Sequence, residues 1–293
     1  IEDIVEYVQT NNLENLIAVD ATASEELIKF YIPLIQNGFS IVAANKKANT
    51  LHNDFYKELR RNLLKFDQSF LYETNVGAGL PVVQTINELY LSGEKITKIR
   101  GVFSGSLSYI FNRFGNENTT FSTILKEAEK SGYTEPDSRE DLSGNDVARK
   151  LLILAREIGI QKEFSEVQIS SLLLPDLNEE NTKAEYASNK QLLDKPYEIA
   201  KITQAENHVL RYVGELDVTN QKLEVKLISV PQNSALGQLK GADNLIEIYT
   251  QSYGEIPIVI QGAGAGKQVT ARGVLNDILK IAEKIKLKES IFN

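Results

Sequence analysis

The stretch from Gly132 to Lys150, GYTEPDSREDLSGNDVARK, concentrates the residues best able to do chemistry. It gathers Tyr133, Glu135, Asp137, Glu140, Asp141, Asp146 and Lys150 on an acidic loop that runs into a helix. Ser143 reads as the N-cap, with Asp146 three residues later in a near capping box. Asp146 and Lys150 stand at i and i+4, about 6 Å apart on one helix face. Val147, Leu151, Leu154 and Ile158 form one apolar stripe, and Ala148, Leu152 and Ala155 a second. A helix apolar around most of its circumference is buried. The acid and the ammonium on its remaining edge are therefore expected to be only partly solvated. In isolation such a pair is a surface salt bridge of small worth. The carboxylates just before it change that reading, because they are costly to crowd together unless they bind something. A lysine among apolar neighbours also suits proton transfer.

The elements that position these residues follow from the pattern. IEDIVEYVQT reads as a helix and LIAVD as a short buried strand. SEELIKFYIPLIQNG reads as one helix, kinked by Pro33 and closed by Gly38. FSIVAANK, residues 39–46, is a second strand. The α-β-α-β order implies a parallel sheet, whose ligands bind beyond the carboxyl ends of its strands. Asp20 to Ser24 and Asn45-Lys46-Lys47 lie there. Further on come a helix (PVVQTINELYLSG), a strand (KITKIRGVFSG) and a helix (SLSYIFNRFG). The closely spaced runs VLRYVGEL, LEVKLISV, LIEIYT and IPIVIQ suggest an antiparallel sheet. The polar segment Ser171 to Lys195, with its Asn-Glu-Glu-Asn run, reads as an exposed loop. A glycine turn and a long helix end the chain.

Composition narrows the function. The 293 residues suffice for one large or two modest domains, and the formal net charge of −8 argues against nucleic-acid or anionic-membrane partners. No apolar run is long enough to cross a bilayer, and the start shows no signal-peptide pattern. The absence of cysteine excludes disulfides, thiolate metal sites and a thioester-forming nucleophile. His52 and His208 have no partner at metal-ligand spacing. Methionine is absent and Ile1 comes first, so the sequence reads as part of something longer. The Gly262–Lys267 turn is too short for a P-loop and has Gln268 in place of Ser or Thr. It reads as a turn that lets backbone approach a ligand. Gly77-Ala78-Gly79 reads as a tight turn which, with Glu73, has the makings of a monovalent cation site.

The segments ANKKANT, LYETNVGAGLPVV, GVFSGSLSYIFN, GYTEPDSREDLSGNDVARKLLILARE, LRYVGEL and GAGAGKQVTARGVLNDIL together resemble homoserine dehydrogenase. The likeness is strongest to the dehydrogenase part of bifunctional aspartokinase–homoserine dehydrogenases and runs from about Ile17 to the end. It implies an α/β protein: a partial Rossmann-like parallel-sheet domain plus an α+β substrate and dimerisation domain with an antiparallel or mixed sheet. The first would comprise residues 1–72 completed by 262–293, and the second residues 73–261. The resemblance implies NAD- or NADP-dependent interconversion of L-homoserine and L-aspartate 4-semialdehyde by a cytoplasmic homodimer serving threonine and methionine biosynthesis. It implies catalytic roles for Lys150, Lys46 and Asp146, and substrate contacts for Glu135, Asp141, Tyr133 and Asp146. Thr22, Asn45, Lys46 and Gly266 would contact the cofactor. Glu73 and the backbone of Val76, Ala78 and Leu80 match the family's sodium site. The chain departs from the family in lacking the kinase half and the first strand–glycine loop–helix, expected before Ile1, and in Ser138 and Asn145. A domain that binds an amino acid without turnover, or another nicotinamide oxidoreductase, is the alternative.

Overall fold

Two sheets organise the chain in the computed structural model, which describes residues 2–178 and 182–292. Ile1 and part of the Asn-Glu-Glu-Asn run fall outside the described residues. The first sheet is parallel and ordered β1 (Leu16–Asp20), β2 (Phe39–Ala43), β3 (Phe70–Leu71). Around it lie α1 (Glu2–Thr10), α2 (Tyr31–Gln36) and α3 (Asn53–Lys65). β2 is central and buried throughout, as its run Phe-Ser-Ile-Val-Ala suggests. β1, expected to be buried, is the sheet edge, and Val19 on it is 48% exposed. The expected kinked helix is instead a 3-10 turn, Leu27–Phe30, passing into α2. Pro33 falls in the first turn of α2, where its missing N–H breaks no hydrogen bond. Gly38 ends it with φ +88°.

The second sheet has six strands. These are β4 (Ile96–Val102), β5 (Gln168–Ile169), β6 (His208–Asp217), β7 (Lys222–Pro231), β8 (Asp243–Thr250) and β9 (Ile258–Ala263), in the order β5-β7-β6-β4-β8-β9. All pairings are antiparallel except β5 with β7, so the sheet is mixed. Helices α4 (Val82–Leu91), α5 (Gly105–Asn116), α6 (Phe121–Lys130), α7 (Ser138–Ser143), α8 (Asn145–Glu157), α9 (Lys183–Asn189), α10 (Asp194–Thr203) and α11 (Ala235–Gln238) occur between the third strand of the first sheet and the end of the second. Finally α12 (Lys267–Phe292) returns to pack on β2 and on the turn Glu73–Asn75. The segment expected to be an exposed loop is thus partly helical. Thr182 caps α9 in a reciprocal box with Glu185, and the Tyr186 and Ser138 hydroxyls hydrogen-bond.

The burial expected of α8 is borne out. From Val147 to Ala155, the seven apolar residues are each no more than 1% exposed. Each such buried side chain, alanines aside, contributes about 1.5–3 kcal/mol. The N-terminus differs from the sequence reading. The acidic loop folds into the short helix α7, capped by Asp137, which accepts the Arg139 N–H at 3.2 Å. Ser143 closes α7, and Gly144 rather than Ser143 is the N-cap of α8, with φ +79°. Two helices joined by one left-handed residue need glycine there. A Cβ at that position would also overlap the Tyr212 hydroxyl, which donates to the Ser170 carbonyl at 2.8 Å. We therefore expect Gly144→Ala to lower the unfolding free energy by about 2 kcal/mol or more, from backbone strain plus overpacking. Urea unfolding measures this, and unchanged stability would mean that the joint is not held as described.

Candidate active site

The amino end of α8 opens into a cleft of about 460 Å³. Ala21, Thr22, Ala23, Ala44 and Lys46 reach it from beyond β1 and β2, on the carboxyl side expected of a parallel sheet. Ser104 to Ser106, Tyr133, Glu135 and Asp141 form another wall, and Gly264 to Gly266 with Thr270 a third. An adjoining hollow of about 300 Å³ shares Ser104, Glu135, Asp141 and Asp146.

Lys150 is buried at 8% exposure. Its Nζ lies 2.7 Å from Asp146 Oδ2 and donates to the Phe103 carbonyl at 2.7 Å. An ammonium has three N–H donors, so one remains for a substrate. Asp146 is partly solvated, as expected, with a half-exposed side chain. Its other oxygen lies 3.5 Å from Lys46 Nζ. Burial opposes its charge, but Lys150 and Lys46 together outweigh burial and hold the carboxyl well below the usual carboxylate range. Asp146 is thus an anion shared by two lysines, one on α8 and one in the turn after β2.

The acids across the cleft differ. Asp141 accepts the Ser106 hydroxyl at 2.6 Å and the Glu135 N–H at 2.9 Å. Burial, aided by the charges of Glu135 and Asp146, pushes its carboxyl up. The Glu135 residue is exposed. Tyr133 stacks on Tyr109 at 3.9 Å between ring centroids.

On the parallel-sheet side, Asp20 organises the backbone. It accepts the Thr22 N–H and hydroxyl at 2.8 and 2.7 Å, the Tyr31 hydroxyl at 2.7 Å and Asn45 Nδ2 at 3.0 Å. Asn45 is buried behind the cleft. Its amide also donates to the Ser24 carbonyl at 2.9 Å, and its Oδ1 accepts the Lys47 N–H at 3.1 Å. It ties the two loops together and does not line the cleft. Gly266, with φ +124°, does line it, immediately before α12.

The four residues matched to a sodium site are divided. Ala78 lines the cleft, whereas Glu73 lines a separate hollow. The Glu73 carboxylate accepts the Val83 and Gln84 amides at 2.8 and 3.0 Å, capping α4, and burial raises it to about 7. The Leu80 carbonyl accepts the Val82 N–H at 2.8 Å. The Glu73 carboxylate is thus engaged by the first amides of α4, and Val76 is buried in the same turn. Among the described residues no cluster of three His, Cys, Asp or Glu suits a metal.

The homoserine dehydrogenase family profile matches residues 81–279, and that family's NAD-binding domain matches residues 1–73. The homoserine dehydrogenase of Saccharomyces cerevisiae is 39% identical over 97% of this chain and 80% of its own length. The chain belongs to the homoserine dehydrogenase family. The bifunctional aspartokinase/homoserine dehydrogenase of Haemophilus influenzae is 39% identical over 94% of this chain, which spans 34% of that protein. A hyperthermophilic archaeal homoserine dehydrogenase solved in complex with NADPH superposes with a TM-score of 0.72 at 25% identity, over 96% of this chain and 75% of that one.

Sequence reasoning within the family frame missed Thr74, Ser106 and Thr270, which line the cleft. Small hydroxyl residues carry no periodic signal, although Ser104 is the N-cap of α5 and accepts the Leu107 N–H. Among the described residues no helix is long and apolar enough to cross a membrane.

Asp20 supplies a pH test. Burial opposes its charge, but bonds from Tyr31, Thr22 and Asn45 prevail, so its folded value lies below the ordinary 3.8. Its contribution is present above that pH and lost as pH falls through the folded value. Asp20→Asn is expected to lower stability near neutrality by about 1–3 kcal/mol and to flatten the acid limb below roughly pH 4. Denaturation at stepped pH checks both, and a variant with the parental acid limb would refute the assignment.

Proposed function

We propose that the protein interconverts L-homoserine and L-aspartate 4-semialdehyde with a nicotinamide dinucleotide. The supporting observation is Lys150, held between Asp146 and a main-chain carbonyl with one donor position left, in a cleft that also contains Glu135. In this reading residues 1–72 with 262–293 hold the cofactor, and residues 73–261 hold substrate and pair in a cytoplasmic homodimer.

The cleft has features that fit the cofactor. Its parallel-sheet wall is made of Ala21, Thr22, Ala23 and Ala44, short side chains that leave room for a flat ring. The first N–H groups of α12 behind Gly266 have no partner within the helix and suit a charged group. NADPH in the archaeal relative supports a nicotinamide dinucleotide here, with NAD and NADP both open. Thr22, Lys46 and Gly266 would hold it, with Asn45 fixing the loop that carries Lys46. When bound, the cofactor accepts hydride from the substrate alcohol carbon or returns it.

The residues of the chain supply orientation and proton transfer. Lys150, as the free amine, takes the proton from the homoserine hydroxyl as its carbon becomes a carbonyl, and in reverse the ammonium gives it back. Asp146 fixes the direction of Nζ. Lys46 competes for the same carboxylate, which weakens its hold on either ammonium. Glu135 would receive the substrate ammonium, with Asp141 and Tyr133 bounding the pocket. Fixing that remote end aligns the reacting carbon. The sodium expectation, given Glu73's role as a cap, rests on the carbonyls of Val76 and Ala78, and no step depends on it.

We expect Lys150→Ala to lower kcat by roughly two orders of magnitude or more, with circular dichroism unchanged. Glu135→Gln should raise KM for homoserine by about tenfold or more with a smaller effect on kcat. Initial rates of reduced-nicotinamide formation measure both, and near-normal turnover in Lys150→Ala would remove that lysine from the mechanism.

A further inference from the structure

We propose that Asn244 is a positioning residue for Lys150, and that the glycine turn at Gly264 holds it in that role. The inference rests on the reading of Lys150 as acid and base. The Phe103 carbonyl accepts two donors, Lys150 Nζ at 2.7 Å and Asn244 Nδ2 at 3.1 Å. Asn244 lies on β8 with 0% exposure, and its Oδ1 has no partner. A buried unsatisfied acceptor costs about 1–3 kcal/mol. Flipping the amide gives no relief, because it would set Oδ1 against the Phe103 oxygen and remove the existing bond. A leucine of similar shape would abolish the deficit, so fold stability does not explain the carboxamide. What it does achieve is local: it fixes the carbonyl that, with Asp146, sets the direction of the lysine.

Gly264 completes the device. A Cβ on it would overlap Asn244 Cγ and Nδ2, so backbone lies directly on the carboxamide and bars its rotation. Gly264 also lines the cleft and leads into α12. The seating of that turn therefore passes to Lys150 through Asn244 and Phe103, although Asn244 itself is not among the residues lining the cleft.

The test uses the full-length protein. Asn244→Leu should keep or raise the melting temperature and lower kcat roughly ten- to hundredfold, with both KM values within about twofold of wild type. The solvent deuterium isotope effect on kcat should rise, because proton transfer is the step disturbed. Gly264→Ala should reproduce the kcat loss by pushing the carboxamide aside. Asn244→Ala/Gly264→Ala should be no slower than Asn244→Ala alone, since the two changes act through one contact. A kcat within twofold of wild type in Asn244→Leu, or a loss confined to KM for the cofactor, would overturn the proposal. The Lys150 13Cε resonance, assigned by its absence in Lys150→Arg, gives a readout that needs no turnover. It should shift in Asn244→Leu, and an unmoved resonance counts against positioning whatever the fate of the mechanism.

Discussion

An ammonium on the edge of a helix that is otherwise inside the protein has to find its acceptors in the protein. Lys150 meets that demand with one carboxylate and one main-chain carbonyl, both at 2.7 Å. Lys150 is the buried member of the pair, and without these acceptors its charge would lie inside the protein uncompensated. The constraint therefore propagates. Phe103 has to follow β4 in one conformation, α8 has to begin where Gly144 lets it, and the helix cannot slide without breaking the pair. The same rod works at its other end. Arg156, nearly fully buried, donates to the carbonyls of Asn49 at 2.9 Å and Leu51 at 2.8 Å. Those residues close the turn that Lys46 begins. One helix thus touches the Lys46 turn at two points and fixes the separation of the two lysines.

Environment rather than residue type separates the acids of the cleft. Asp146, between two ammonium groups, stays ionised across any working pH, whereas Asp141, half-buried and facing like charges, is pushed the other way. Glu135 stands open at the far side. A site meant to hold an amino acid by its ammonium while moving a proton at its other end needs this division. In the proposed reading, the acid that fixes the base must not titrate, and the acid that meets the ligand must be reachable.

The parts of this arrangement written in local sequence were legible. The apolar stripes of α8 are set by a 3.6-residue period and are buried as read. The strand at residues 16–20 and the glycine turn before the last helix also stand where patterning puts them, and the strand read over 39–46 is present but ends at Ala43. What escaped was decided by tertiary contact. Ser143 outranks glycine as an N-cap by propensity, but the Tyr212 hydroxyl leaves no room for a side chain at residue 144, so the cap moved. LIAVD is as apolar as a central strand, yet nothing in those five residues says that no described strand pairs on its outer side. The polar composition of residues 171–195 argued for a loop, while the Thr182–Glu185 box and the burial of Tyr186 made part of it helix. Glu73 stood beside a glycine turn whose free carbonyls suit a cation, and no local pattern said where its carboxylate would go. Its partners turned out to be two amides brought together by the fold.

The cleft exists only where the two sheets meet, and the contacts at that junction are directional. Asn75 donates to the Ala43 carbonyl at 2.8 Å and accepts Asn49 Nδ2 at 3.0 Å. Asp277 of α12 accepts the Glu73 N–H at 2.9 Å. Apolar packing alone tolerates small slippage, because its energy follows area and scarcely depends on direction. Hydrogen bonds between buried groups do not, since each loses its worth over a few tenths of an ångström and leaves an unsatisfied group behind. A 3.5 Å approach between Lys46, in the turn after β2, and Asp146, on α8, calls for that kind of junction. The polar residues buried at the seam are for this reason as much a part of the site as the lysines that line it.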